Sequence, residues 1–191
     1  MQGAYSIRLC TMADVPRVAA LIPISVRGLQ SGVYSREQMD GAIGTVFGVD
    51  TQLIGDGSYY VAEAESAIVG CGGWSRRKTL FGGDTAKSGE DSVLDPSRDA
   101  ARVRAFFVHP CWARRGIGSE ILRRSEEAAF GAGFGRIEIV ATLTGETFYQ
   151  RFGYRAVERY DVPLPNSYRL PVVRMIKGGQ EGYRDFCNTN M

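Results

Sequence analysis

The chain has 191 residues, and its 23 lysines and arginines nearly balance its 21 aspartates and glutamates, which gives a formal net charge of +2. This balance excludes the broad basic surface of a general nucleic-acid binder. No run approaches the roughly 18 consecutive apolar residues that a membrane-spanning helix needs. Hydrophobic residues make up 44% and charged residues 23%, which is typical of a globular protein. We therefore expect a soluble protein with no nucleic-acid or membrane partner.

Residues that commonly bind metals or form disulfides are sparse. The four cysteines form no Cys-x-x-Cys pair and His109 is the only histidine, so the sequence predicts neither a metal site nor a disulfide framework. The first ten residues do not resemble a secretory signal, and few cysteines fit a reducing compartment, so we expect a cytoplasmic protein. Glycine is abundant, with 24 residues, which favours tight turns and close backbone approaches.

The first part of the chain predicts alternating strands and helices. In chain order we expect a strand over 5–10, a helix from 11 or 14, a helix over 36–43, and a hairpin of strands over 58–63 and 67–75. Ser35 followed by Gln38 is the pattern of a capping box, which starts the second helix. Gly70, Gly72 and Gly73 in the last strand indicate a bulge or a close backbone approach.

A long polar connection, 76–99, separates the two halves, and its length predicts a lid, a substrate-shaping loop or disorder. Beyond it we expect, in chain order, a strand over 101–108, an amphipathic helix over 116–130, a strand over 136–141, a short helix over 146–152, and strands near 154–161 and 171–177. This order predicts an α/β (α+β) fold with a mixed sheet. We expect one domain over residues 1–177 and a loose tail over 178–191.

The sequence Arg114-Arg115-Gly116-Ile117-Gly118-Ser119 leads from a strand into the amphipathic helix. The N–H groups of a helix start lack intrahelical partners and lie at the positive end of the helix dipole, so a glycine turn there can bind phosphate. A plain strand-to-helix turn is the alternative. A dinucleotide fingerprint is excluded because Ile121 stands where a small residue is needed, and a P-loop is excluded because Gly118-Ser119-Glu120 lacks its lysine.

A second motif, Phe148-Tyr149-Gln150-Arg151-Phe152-Gly153-Tyr154, follows after one further strand. Together with the Arg-Arg-Gly-Ile-Gly turn and the strand end at 106–108, it resembles the GNAT superfamily of acetyl-CoA-dependent N-acetyltransferases. The motifs of this resemblance lie within residues 101–177. The resemblance implies a mixed, mostly antiparallel central sheet flanked by helices, in which two parallel strands splay apart to admit acetyl-CoA.

In that family the helix-start turn binds the diphosphate of coenzyme A, and the preceding strand end pairs with the pantetheine arm. The resemblance therefore implies the following donor-binding residues: Phe106, Phe107 and Val108 for the arm, and Arg114, Arg115, Gly116, Ile117, Gly118 and Ser119 for the phosphates. The family pattern places a basic or amide residue where this chain has Ala113, and Arg114 is the candidate substitute. An asparagine that many members carry before the short helix is also absent, with threonines at 142 and 144 in that region.

The resemblance assigns Tyr149 the role of general acid. A phenol with a pKa near 10 can hydrogen-bond to a departing thiolate, whose conjugate acid has a pKa near 8.5, and supply a proton as charge builds. The alternative is that Tyr149 only packs beside Phe148 and Phe152. A general base is not identified: Glu63 and Glu146 are candidates, each of which can instead be a solvated carboxylate, and His109 follows the strand as a turn residue.

Arg102 and Arg104 lie on the strand that precedes the motif. Side chains alternate along a strand, which places Val103, Ala105 and Phe107 on one face and Arg102, Arg104, Phe106 and Val108 on the other. The two arginines can then point toward the acceptor cleft and favour an acceptor that bears a carboxylate. Alternatively, both pair with nearby aspartates or glutamates.

We expect direct transfer of an acetyl group from acetyl-CoA to a primary amine in a ternary complex, without a metal. The expected acceptor is a small molecule in preference to a protein, and a homodimer is left open. Two alternatives remain. A non-catalytic acyl-CoA-binding module would keep the phosphate turn without needing Tyr149, and a protein lysine or N-terminal acetyltransferase would have an open acceptor groove.

Overall fold

A computed structural model describes residues 4–86 and 91–178 of the chain. Within these ranges the strands and helices are, in chain order, β1 (Ser6–Leu9), α1 (Val15–Gln30), α2 (Arg36–Ala42), α3 (Thr51–Gly55), β2 (Tyr59–Ala64), β3 (Ala67–Ser75), β4 (Ala101–Val108), α4 (Ile117–Gly131), β5 (Arg136–Thr142), α5 (Leu143–Arg151), β6 (Arg155–Pro163) and β7 (Arg169–Gly178). Residues 87–90 and 179–191, which hold part of the long connection and nearly all of the predicted tail, lie outside the described ranges.

The strands form one 7-stranded sheet in the order β1-β2-β3-β4-β5-β7-β6. Every neighbouring pair is antiparallel except β4 and β5, which confirms the predicted mixed fold. Apolar residues of α1, α2 and α3 pack on one face, where they share a cluster with Phe107 and Val172. On the other face, Leu122 of α4 and Tyr149 of α5 share a cluster with Val103. Over residues 4–86 and 91–178, every helix is too short or too polar to span a bilayer.

The parallel strands β4 and β5 separate soon after they begin. Their only paired positions in the described structure are Ala101 with Ile137 and Arg102 with Glu138, yet β4 continues to Val108 and β5 to Thr142. The backbones therefore diverge toward their carboxyl ends, and the predicted splayed pair is confirmed.

A bulge in β4 overturns the predicted alternation of its side chains. Between the pairs Gly73–Arg104 and Cys71–Phe107, β4 advances by one residue more than β3, and Ala105 takes a positive φ of 59°. Because of the extra residue, Val103 and Phe106 lie on the α4 face and Phe107 on the α1 face. The prediction that Arg102 and Arg104 share a face with Phe106 is therefore wrong.

One helix is unpredicted and another begins earlier than expected, and a side-chain cap accompanies each difference. Helix α3 was not predicted, because five residues are too few to show a helical period; Asp50 caps it by accepting a hydrogen bond from the Leu53 N–H at 3.4 Å. Helix α5 begins at Leu143, earlier than predicted, because the Thr142 hydroxyl accepts from the Gly145 N–H at 3.2 Å. The predicted capping box of Ser35 and Gln38 is confirmed.

A buried phenol is hydrogen-bonded to the β4 bulge. The Tyr59 hydroxyl donates to the Ala105 carbonyl at 2.9 Å, and the Tyr59 ring is fully buried. Replacing Tyr59 with phenylalanine should lower the free energy of unfolding by about 1–3 kcal/mol, because a part-buried carbonyl loses its partner. Urea denaturation measures this. Tyr60→Phe, next in sequence but partly exposed, should cost under about 0.5 kcal/mol; equal losses would contradict the role of Tyr59.

Candidate active site

A cavity of about 820 Å³ lies where β4 and β5 diverge. Its walls include the carboxyl-terminal halves of both strands, the start of α4, the first turns of α5 and part of α1. Most ligand pockets measure roughly 300–1,000 Å³, so this cavity is large enough for an extended ligand. All the predicted donor-binding residues except Arg115 line it, as does Tyr149.

The turn before α4 is shaped by two residues with positive φ. Arg114 has a φ of 62° and Gly116, the N-cap of α4, a φ of 86°. Glycine adopts this conformation without strain, and because it has no side chain, no side-chain cap closes the first turn of α4. Gly118 and Ser119 follow on the cavity wall. The N–H groups of this turn can therefore bind an anion in the cavity.

The two arginines of the turn differ in position. Arg114 lines the cavity, beside Ala113. The Arg115 guanidinium lies 4.7 Å from the centre of the Trp112 ring, in a cation–π contact, and its predicted phosphate contact stays a prediction. Of the two arginines, Arg114 is therefore the one whose position agrees with phosphate binding.

Tyr149 packs among aromatic side chains and also lines the cavity. Its ring packs edge to face against Phe148, Tyr154 and Phe106, with centroids 5.0, 5.6 and 6.4 Å away. The residue is only 6% exposed, and this burial raises the pKa of its phenol. It nevertheless lines the cavity. The phenol is therefore protonated at neutral pH, and it is a weaker acid than an exposed tyrosine.

Two polar residues of α1 join the site without having been predicted. The Ser25 hydroxyl accepts a hydrogen bond from the Val108 N–H at 3.1 Å and so fixes the end of β4. Gln30 also lines the cavity. Its amide oxygen is buried and has no hydrogen-bond partner among the described residues. Ser25 interrupts an otherwise apolar buried stripe of α1, and that interruption is the sequence signal for it.

The candidate bases are engaged away from the cavity. Glu63 pairs with Arg17 at 2.7 Å and Arg8 at 3.0 Å, which lowers the pKa of its carboxyl. Glu146 pairs with Arg159 at 2.6 Å.

His109 accepts the Cys111 N–H on its Nδ1 at 3.2 Å, as a turn residue would. The cavity wall within residues 4–86 and 91–178 carries no carboxylate or imidazole, and these ranges hold no cluster suited to a metal ion.

Arg102 and Arg104 both have acidic partners, which confirms the alternative that they pair with nearby aspartates or glutamates. Arg102 pairs with Glu138 of the neighbouring strand, and Arg104 pairs with Asp50. Arg104 touches the cavity, but its guanidinium also donates to the carbonyls of Thr79 and Gly82. The expectation that these arginines select a carboxylate-bearing acceptor has no support in this arrangement.

Residues 55–156 match the sequence profile described as an acetyltransferase (GNAT) domain. Comparison with curated proteins gives no match. Among solved structures, the chain is similar to a GCN5-related N-acetyltransferase from Rhodopseudomonas palustris, with a TM-score of 0.67 and 20% identity over 94% of this chain and 99% of that one.

It is also similar to PaiA N-acetyltransferase from Thermoplasma acidophilum in complex with coenzyme A, with a TM-score of 0.61 and 14% identity over 92% of this chain and 99% of that one. A GNAT family acetyltransferase from Brucella melitensis in complex with acetyl-CoA has a TM-score of 0.51 and 17% identity over 81% of this chain and 85% of that one. At such identities the structures show a shared fold. The profile match extends over more than half of the sequence and includes both motifs, and on that ground the chain belongs to the GNAT family of acetyltransferases.

Proposed function

We propose that the protein transfers an acetyl group from acetyl-CoA to a primary amine, by direct attack of the amine on the thioester. The observation that carries this proposal is that one cavity connects the uncapped start of α4, the splayed end of β4 and Tyr149. In this proposal the donor's diphosphate binds at the first of these and its pantetheine arm at the second. Two of the similar structures contain coenzyme A or acetyl-CoA, which also supports this donor.

The chain's own residues contribute mainly by positioning. The N–H groups after Gly116, with Arg114, anchor the donor phosphates, and the walls of β4 and β5 orient the thioester. The Tyr149 phenol hydrogen-bonds to the departing sulfur and gives it a proton as negative charge develops. The candidate carboxylates Glu63 and Glu146 are bound to arginines, so the acceptor amine loses its proton to water.

This assignment predicts a pH dependence. Burial raises the pKa of the Tyr149 phenol, so the phenol keeps its proton as the pH rises from 7 to 9. An alkyl amine with a pKa near 10 gains neutral form over the same interval. We therefore expect kcat/KM to rise about tenfold per pH unit between pH 7 and 9, measured in a constant-ionic-strength buffer series. A plateau that begins near pH 7 would indicate a titrating enzyme base and contradict deprotonation by water.

The direct test is a screen of primary amines, amino acids, aminoglycosides and peptides for release of coenzyme A. Mass spectrometry should identify the matching acetamide for each active amine. Calorimetric titration with coenzyme A tests donor binding separately. If the protein does not bind coenzyme A, the proposed function is wrong. Release of coenzyme A without an acetylated amine would indicate thioester hydrolysis instead.

A further inference from the structure

Two loops join on the face of the sheet opposite α4, and we call them the loop pair: residues 44–50 before α3, and residues 79–86 after β3. The Gly83 N–H donates to the Thr45 carbonyl and the Asp84 N–H to the Val49 carbonyl, both at 2.9 Å. The Thr51 N–H donates to the Asp84 carboxylate at 3.0 Å. These bonds connect segments far apart in sequence into one wall.

Arg104 attaches this wall to the β4 bulge. Its guanidinium donates to the carbonyls of Thr79 at 2.8 Å and Gly82 at 2.9 Å, both in the second loop. It also pairs with Asp50 of the first loop, and Arg104 is only 4% exposed. Asp50, the carboxylate paired with Arg104, is fully buried, and the opposite charges of the pair offset each other.

The side chains that the loop pair presents to the cavity are apolar. They are Val46 and Phe47 from the first loop and Leu80 and Phe81 from the second. Phe47 also meets Phe107 of β4 edge to face, with centroids 6.1 Å apart. Glycines at 48 and 82 complete this part of the wall. A ligand group that reaches the loop pair therefore meets aromatic and aliphatic surface.

We infer that the loop pair binds the substituent of the acceptor, and that the acceptor is a primary amine carrying a compact apolar group such as a phenyl ring. The inference rests on the proposed function, because the same cavity must hold the acetyl donor. An aromatic ring gains from burial against Phe47 and Phe81 and from edge-to-face contacts. A polyamine or an amino acid would have to bury a second charge against these apolar side chains, which offer it no hydrogen bond.

The test compares phenethylamine with spermidine and lysine as acceptors. We expect the wild-type kcat/KM to be at least about tenfold higher for phenethylamine, and Leu80→Asp to lower that value at least about tenfold. Val93→Asp is the matched control: Val93 belongs to the same long connection, is 58% exposed and lies off the cavity. It should leave kcat/KM within about twofold of wild type.

A second pair of variants guards against misfolding. Phe81→Ser should raise KM for phenethylamine by about tenfold or more, whereas Phe130→Ser, on the exposed side of α4, should not change it. Coenzyme A affinity, measured by calorimetry, should stay within about twofold for all four variants. Preference for spermidine or lysine, or equal effects at 80 and 93, would overturn the inference and leave the proposed function standing. Failure to bind coenzyme A would overturn both.

Discussion

Tyr149→Phe should lower kcat for acetyl transfer by roughly 10²–10⁴-fold, the range that general-acid catalysis contributes. Phenylalanine keeps the edge-to-face contacts with Phe148 and Tyr154, so the variant removes a hydroxyl from the cavity wall and little else. The expelled thiolate then has no proton donor from the enzyme. If Tyr149 served only to pack the core, kcat would stay near the wild-type value.

Binding measurements separate this effect from damage to the site. Coenzyme A should bind Tyr149→Phe within about twofold of wild type, because the phosphate turn and the β4 edge are untouched. Tyr154→Phe is the matched control. Tyr154 is buried in the same hydrophobic cluster as Tyr149 but does not line the cavity. Its kcat should be close to wild type. Equal losses in both variants would assign Tyr149 a structural role.

The parts of the site that the sequence predicted are those built from contiguous residues. The turn at Gly116 combines a strand end, a positive-φ glycine and a helix start within a few residues, so local rules suffice to identify it. The same holds for the helix that carries Tyr149. The two motifs line one cavity because β4 and β5 splay apart. The family resemblance implied this splay, whereas hydrophobic periodicity carries no information about it.

The rest of the site depends on contacts between distant residues. The β4 bulge is hydrogen-bonded to the Tyr59 hydroxyl, on a strand two positions away in the sheet, and its one-residue shift reverses every later side chain in β4. The faces of Arg104 and Phe106 were mispredicted for that reason. The loop pair is likewise assembled by Asp50 and Arg104, which are far apart in the sequence and have no local pattern in common.

Gly118→Asp should weaken coenzyme A binding by roughly a thousandfold while leaving the fold intact. A Cβ at position 118 would lie 3.5 Å from the Phe148 ring, which is ordinary van der Waals contact. The new carboxylate would face the bound phosphates, and like charges 4 Å apart repel by about 4 kcal/mol at an effective dielectric constant near 20. The same carboxylate in the first turn of α4 interacts favourably with the helix dipole, so thermal stability should be unchanged or slightly higher.

Gly131→Asp makes the same chemical change at the other end of α4, where nothing lies within 4 Å of the added Cβ and no cavity wall is formed. There a carboxylate opposes the helix dipole and should cost about 0.3–1 kcal/mol of stability, while coenzyme A binding stays at the wild-type value. Gly118→Asp should therefore lose affinity for coenzyme A without losing stability, and Gly131→Asp should lose stability without losing affinity. Partial unfolding would not produce this pattern. Wild-type affinity in Gly118→Asp would mean that the donor phosphates bind elsewhere than at the start of α4.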